Sequence, residues 1–317
     1  MNSLNSTPSQ SPLKVVASSP LPGSSLNALK KVSNLIVLNP SHTAKELLTA
    51  CRDATALISL LSDPIDQNFL ENCSSLKIVS NYAVGYNNID VATAKRLGIL
   101  VCHTPEVLTE ATAELTWALI FSVSRKLIEA DSFVRSNQFK GWLPDLFLGT
   151  ELLGKTLGIV GSGRIGRRVG EIGSAFGMKV LYDKEHPFEE VLTQSDVLSL
   201  HVPLTEKTRH LLTEKEFKRM KPGAILINTA RGPVVDERAL VQALKESSLG
   251  GAGLDVYEKE PELQKELTNL QNTTLLPHLG SATWEARTQM SELACEAVRL
   301  SLLGQTPKNR IPEFKND

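Results

Sequence analysis

Arg231, Glu260 and His278 each stand just beyond an apolar, strand-like run, and together their side chains could handle a small oxo acid. Ala224-Ile225-Leu226-Ile227-Asn228 leads into Thr229-Ala230-Arg231-Gly232, which places an arginine at the carboxyl end of a parallel strand, where open α/β sheets bind ligands. A planar guanidinium can take both oxygens of a carboxylate at once. From position alone, a surface arginine at a turn fits equally well. Gly251-Ala252-Gly253-Leu254-Asp255-Val256 reads as a buried strand ending in a polar loop that carries Glu260 before Pro261. Alone, Glu260 is a solvated acid. Leu275-Leu276-Pro277-His278-Leu279-Gly280-Ser281 puts His278 past another strand end, where a buried structural histidine is the plain alternative. As a set, the three suit reduction of a 2-oxoacid. Arg231 would clamp the carboxylate, His278 would protonate the carbonyl oxygen, and Glu260 would orient His278 and keep it protonated, because a carboxylate beside an imidazole favours its charged form.

Gly161-Ser162-Gly163-Arg164-Ile165-Gly166 follows the strand-like Leu157-Gly158-Ile159-Val160 and opens a helix-like segment, and Asp183 closes the next apolar run 22 residues after Gly161. Such a motif alone is a glycine-rich turn. With a strand before it, a helix after it and an acid at that distance, it reads as a dinucleotide site. The glycines serve a tight turn, close backbone approach to a pyrophosphate, and close packing of helix on strand, while the helix N-terminus offers unpaired N–H groups to phosphate. Asp183 would accept from adenosine ribose hydroxyls and repel a 2′-phosphate, which favours NAD over NADP.

Two series of short apolar runs alternate with helix-like segments and imply parallel sheets. The first comprises Val15–Ala17, Leu35–Leu38, Ala56–Ser59, Ile78–Ser80 and Leu100–Cys102. The second comprises Leu157–Val160, Lys179–Tyr182, Val197–Val202, Ala224–Asn228, Gly253–Val256 and Thr274–Leu276. The expected fold is α/β, with two doubly wound parallel-sheet domains. Between the series, Leu115, Leu119, Ile120 and Val123 recur at helical spacing and predict one helix from Thr109 to about Asn137, which would bridge or dimerise. A last helix, Trp284 to Leu303, would return to the first domain. The expected organisation is a substrate domain of residues 14–102 and 284–317, a cofactor domain of residues 103–283, and a disordered tail, residues 1–13, rich in Ser, Asn, Pro and Thr.

At 317 residues the chain exceeds what one core serves, roughly 250 to 300 residues. With 41% hydrophobic and 22% charged residues and a net charge of −1, there is no basic field to hold nucleic acid. Leu115 to Val123, the longest apolar stretch, is far short of the ~20 residues a membrane span requires, and no signal peptide is expected. Cys51, Cys73, Cys102 and Cys295 show neither Cys-x-x-Cys nor metal-ligand spacing. They read as buried thiols of a reducing, cytoplasmic compartment, and no metal is expected.

In order along the chain, the glycine motif, Asn228-Thr229-Ala230-Arg231-Gly232, Gly253-Leu254-Asp255-Val256 with Glu260-Pro261, and Pro277-His278 with Gly280-Ser281-Ala282-Thr283 resemble the motifs of the D-isomer-specific 2-hydroxyacid dehydrogenase family. The resemblance runs from about residue 54 to residue 305, and the 29 residues from Arg231 to Glu260 and 18 from there to His278 match the family's habit. It implies a Rossmann cofactor domain inserted into a flavodoxin-like substrate domain. It also implies that Arg231 binds the substrate carboxylate, Glu260 tunes the histidine, and His278 is the general acid/base. In the run Ser80 to Asp90, the N–H groups of Val84 and Gly85 would hold the carboxylate, and Ser281 would join the substrate site. Cofactor contacts would extend from Gly161, Gly163, Arg164, Ile165, Gly166 and Asp183 to Val202, Pro203, Thr208, Thr229, Ala230, Asp255 and Gly280, together with Arg231 and His278.

Asn81 to Tyr86, Leu60 to Asp63, and Trp142 with Phe147-Leu148-Gly149 look like the glyoxylate/hydroxypyruvate reductase branch, in which that tryptophan reaches the partner subunit of a homodimer. The implied reaction is reduction of glyoxylate or hydroxypyruvate to the D-2-hydroxyacid, with NADH favoured over NADPH. A D-3-phosphoglycerate dehydrogenase is the alternative among enzymes; it would want further cationic groups for the phosphate. From another class, NAD-sensing corepressor-like interaction modules keep the same three residues. One departure stands out, because thirteen residues separate Asp183 from Val197 where the family usually has a further helix and short strand. That is near the minimum for a crossover and implies a more open adenine pocket or a harmlessly shortened edge.

Overall fold

The β-branched runs become strands covered on both faces, as parallel sheets require. The computed structural model describes residues 12–314, so all but the last two residues of the expected tail lie outside the described residues. Leu13 is part of the fold, its carbonyl accepting the Asn34 N–H at 3.0 Å. The chain packs as two units, Met1–Val107 with Thr283–Asp317, and Leu108–Ala282. The first boundary falls later than residue 102 for a physical reason. His103 N–H donates to Asn309 O at 3.0 Å and Thr104 N–H to Ala83 O at 2.9 Å, which ties this segment to the first unit.

The first unit contains β1 (Lys14–Ala17), α1 (Ser25–Lys30), β2 (Asn34–Val37), α2 (Ala44–Cys51), β3 (Ala56–Ser59), α3 (Gln67–Glu71), β4 (Ile78–Asn81), α4 (Val91–Arg96) and β5 (Leu100–Cys102). Its all-parallel sheet has the order β2-β1-β3-β4-β5, the flavodoxin-like winding. The second unit contains α5 (Thr109–Ser124), α6 (Leu127–Arg135), β6 (Thr156–Val160), α7 (Arg164–Ala175), β7 (Lys179–Tyr182), α8 (Phe188–Gln194), β8 (Val197–Leu200), α9 (Glu214–Phe217), β9 (Ala224–Asn228), α10 (Glu237–Lys245), β10 (Leu249–Leu254) and β11 (Thr273–Leu275). The chain then returns to the first unit as α11 (Trp284–Leu302), where Ser80 Oγ donates to Ala294 O at 3.1 Å and Tyr82 Oη to Arg287 O at 2.6 Å.

The second sheet is parallel throughout, with the order β11-β10-β9-β8-β6-β7. This is the Rossmann winding without the strand that usually lies outside β7. The short segment after Asp183 supplies one helix, α8, and β7 is left as the sheet edge. β6, β8 and β9 are buried at every position, and side chains such as Leu157, Ile159 and Leu226 are fully enclosed. Each such side chain contributes about 1.5–3 kcal/mol relative to exposure.

Three expectations are corrected. The single helix from Thr109 to Asn137 is two helices, α5 and α6, because Lys126 adopts a left-handed conformation with φ 52° and the Ser124 carbonyl accepts the Thr150 N–H at 2.8 Å. A carbonyl taken by a distant N–H cannot continue the helical ladder. β8 ends at Leu200 rather than Val202, and β10 ends at Leu254 rather than Val256, where Asp255 turns its carboxylate onto the next loop.

Candidate active site

At the carboxyl end of β6 the chain turns sharply at Gly161, φ +99°, where a Cβ would stand 2.4 Å from the His201 carbonyl carbon. A Cβ at Gly166 would meet the Gly161 oxygen at 2.2 Å, so α7 lies directly on the turn. Gly163 differs, because a Cβ there would meet nothing within 4 Å. It caps α7, a 12-residue helix, without a side-chain hydrogen bond, and the first N–H groups of a helix have no partner within its own ladder. This is a cradle for a pyrophosphate: one glycine makes the turn, one leaves room, and one packs the helix. Asp183, past β7, reaches the same loop. Its Oδ2 accepts the Gly161 N–H at 2.9 Å, and its Oδ1 accepts from Ser162 Oγ at 2.8 Å and Ser162 N–H at 3.3 Å. The residues present fit a dinucleotide.

β9 delivers Arg231 through a turn closed by Asn228, whose Nδ2 donates to Arg231 O at 3.0 Å and whose Oδ1 accepts the Ala230 N–H at 3.0 Å. Arg231 Nη1 donates to Ala230 O at 2.6 Å. Burial pushes the Arg231 guanidinium down, and the negative charge of Glu260 opposes this. Past β10, Glu260 Oε2 lies 2.9 Å from His278 Nδ1, and Glu260 Oε1 accepts the Tyr257 N–H at 3.0 Å. Burial works to raise the Glu260 carboxyl, but the His278 hydrogen bond and charge, the Tyr257 N–H and Arg231 outweigh it, and the group is held below its ordinary value.

His278 itself has φ 57°, a left-handed conformation that non-glycine residues adopt under constraint. The constraint is visible. His278 N–H donates to Asp255 O at 2.9 Å, and the Asp255 carboxylate accepts the N–H groups of Leu279 at 2.6 Å and Gly280 at 2.8 Å. Tyr257 Oη donates to Leu276 O at 2.8 Å, two residues before the histidine. A second imidazole at a strand end, His201, is unlike it: burial pushes it down to about 3, and its Nε2 lies 2.9 Å from Ser199 Oγ, so it is neutral.

Thr229 Oγ1 lies 3.0 Å from Thr116 Oγ1 on α5, and the Gly280 carbonyl accepts from Thr112 Oγ1 at 3.0 Å, so both are braced by that helix. Thr208 Oγ1 donates to Pro203 O at 2.7 Å, which folds the loop after Val202 on itself. Arg164 and Ile165 begin α7, and Ser281 follows the histidine turn. In the first unit, Asn81 Nδ2 donates to Gly85 O at 2.9 Å, and His103 Nδ1 lies 2.8 Å from Val84 O. The loop is thus held by its carbonyls, and neither the Val84 nor the Gly85 N–H donates to another group among the described residues. The supporting roles of Tyr257, Asn228 and Ser162 carried no motif of their own; only their places beside the motifs pointed to them.

A parallel-sheet domain with a glycine-cradled helix end, and with a paired acid and imidazole past its strands, defines a nicotinamide-dependent dehydrogenase. The chain belongs to the D-isomer specific 2-hydroxyacid dehydrogenases: the family's NAD binding domain model matches residues 117–280. Glyoxylate reductase of Thermococcus litoralis is 49% identical over 283 residues, covering 84% of this chain and 86% of the relative. Among solved structures, the TT0316 protein of Thermus thermophilus superposes with a TM-score of 0.90 at 41% identity, covering 94% of this chain and 100% of that one. A glyoxylate reductase from Paecilomyes thermophila superposes with a TM-score of 0.87 at 31% identity, covering 96% and 99%. No described helix is long and apolar enough to cross a membrane.

Proposed function

We propose that the protein reduces small 2-oxoacids, glyoxylate foremost and hydroxypyruvate beside it, to the D-2-hydroxyacid, with NADH preferred over NADPH. The observation that carries the reading is the Glu260–His278 pair. Glu260 takes Nδ1, so Nε2 is the nitrogen left to give its proton to the substrate's carbonyl oxygen. Glu260 fixes the ring, and the hydrogen bond and charge of His278 help to hold the Glu260 carboxyl below its ordinary value. Arg231 binds the carboxylate with its fork. Bound nicotinamide supplies the hydride. The polypeptide holds the proton, the carboxylate and the orientation.

Asp183 supports NADH, because a carboxylate at that place repels a 2′-phosphate. The unit Leu108–Ala282 serves the cofactor, while the other unit serves the substrate. In the comparisons, the relative from Thermococcus and the structure from Paecilomyes, both glyoxylate reductases, point to the same substrate. The cytoplasm suits four thiols that are all buried and unpaired. A homodimer suits the exposed apolar segment after α6, where Trp142 is 81% exposed and Leu148 66%. Steady-state assay of glyoxylate, hydroxypyruvate, pyruvate and phosphohydroxypyruvate, each with NADH and NADPH, tests the reading. The highest kcat/KM is expected with glyoxylate or hydroxypyruvate and NADH; a preference for phosphohydroxypyruvate, or no turnover with any of them, contradicts it.

A further inference from the structure

The loop that carries Glu260 is held by a second pair of acids. Glu237, the first residue of α10, is 4% exposed, and its Oε1 accepts the Glu258 N–H at 2.6 Å. The Gln264 backbone N–H acts to lower the same carboxyl. Glu258 answers with its own side chain: Oε2 accepts the Glu237 N–H at 3.3 Å and Oε1 lies 2.9 Å from His210 Nε2. The N–H taken by Glu237 lies two residues before Glu260, so the loop that carries Glu260 is tied to a buried carboxylate. Its other face bears on the arginine turn, because a Cβ at Gly232 would stand 1.8 Å from the Tyr257 carbonyl.

Burial pushes the Glu237 carboxyl up, and the charges of Glu258 and Glu260 act the same way against the Glu258 and Gln264 N–H bonds. A buried acid among acids is unfavourable unless its hydrogen bonds hold it. We propose that Glu237 is a positioning residue for the reaction, fixing the loop that aims Glu260 at His278 Nδ1 and seats it against Arg231. The proposal rests on the reading of Glu260 and His278 as the proton device.

The test compares pH profiles of NADH-driven glyoxylate reduction for the wild type, Glu237→Ala, Glu237→Gln, Glu260→Gln and the Glu237→Ala/Glu260→Gln double variant. In Glu237→Ala, kcat falls roughly tenfold or more, the alkaline limb moves to lower pH toward that of Glu260→Gln, and the NADH Kd stays within about twofold. Glu237→Gln keeps one acceptor and turns the other into a donor facing an N–H, so it falls between the wild type and Glu237→Ala. The double variant shifts no further than Glu260→Gln. A Glu237→Ala enzyme that melts earlier but keeps the wild-type limb and rate overturns the proposal, leaving Glu237 a structural brace. Should that variant not fold, a Glu237→Gln limb and rate equal to the wild type overturn it equally. An unmoved limb in Glu260→Gln removes the reading of Glu260 and this proposal together, whereas an unmoved Glu237→Ala limb beside a moved Glu260→Gln limb removes this proposal alone.

Discussion

Glu260 commits both carboxylate oxygens, Oε2 to His278 Nδ1 at 2.9 Å and Oε1 to the N–H of Tyr257 at 3.0 Å. One contact sets the ring, and the other sets the carboxylate that sets the ring. The pair is open to solvent in part, with side chains 27% and 30% exposed.

Replacing Glu260 by Gln keeps the shape and removes the charge. In the reduction direction His278 must hold a proton, so the rate is present at low pH and lost as the pH rises. Without the carboxylate the imidazolium loses its partner and that loss comes earlier. The alkaline limb of kcat/KM for glyoxylate is expected to move to lower pH, because the pairing that holds the Glu260 carboxyl below its ordinary value is lost. A limb that stays in place removes Glu260 from the mechanism.

Asp183 is expected to govern cofactor choice through two contacts at once. Its carboxylate would meet the ribose hydroxyls of a bound dinucleotide, and it holds Gly161 and Ser162. Asp183→Ser combined with Lys184→Arg should lower the NADH-to-NADPH ratio of kcat/KM by about 10²-fold, the scale of relieving one like-charge opposition. Loss of the loop anchors should also weaken NADH in absolute terms. A wild-type enzyme that already prefers NADPH defeats this assignment.

Trp142 is 81% exposed, in a segment that its own unit covers only in part. α6 has no buried residue, and Phe139, Trp142, Leu143 and Leu148 are all exposed. In the branch that this segment resembles, such a tryptophan reaches the partner subunit, so Trp142→Ala should change the ratio of glyoxylate to hydroxypyruvate kcat/KM more than it changes Tm. Light scattering and paired kinetics check this. A monomeric wild type, or an unchanged ratio, counts against it.

The places of Arg231, Glu260 and His278 were legible because a parallel strand announces its own carboxyl end, and each follows one of β9, β10 and β11. The glycine cradle was legible because Gly161, Gly163 and Gly166 answer three different steric demands. The break after Ser124 was not. Leu127 and Ile128 continue an apolar stretch, and the stop depends on the N–H of Thr150, which no local pattern shows. Glu237 was equally hidden, since an acid in the first turn of a helix ordinarily reads as a solvated charge favoured by the helix dipole. Asp255 shows the same limit. Its type and place suggested a ligand contact, while the fold turns its carboxylate to the backbone of Leu279 and Gly280.

The central claim is that His278 delivers the proton, and His278→Ala tests it most directly. Turnover of glyoxylate and hydroxypyruvate with saturating NADH is measured beside NADH binding by fluorescence titration. Loss of a positioned general acid predicts a kcat lower by roughly 10²- to 10⁴-fold, with the NADH Kd changed by less than about twofold. A His278→Ala enzyme that turns over either substrate at nearly the wild-type rate contradicts the account.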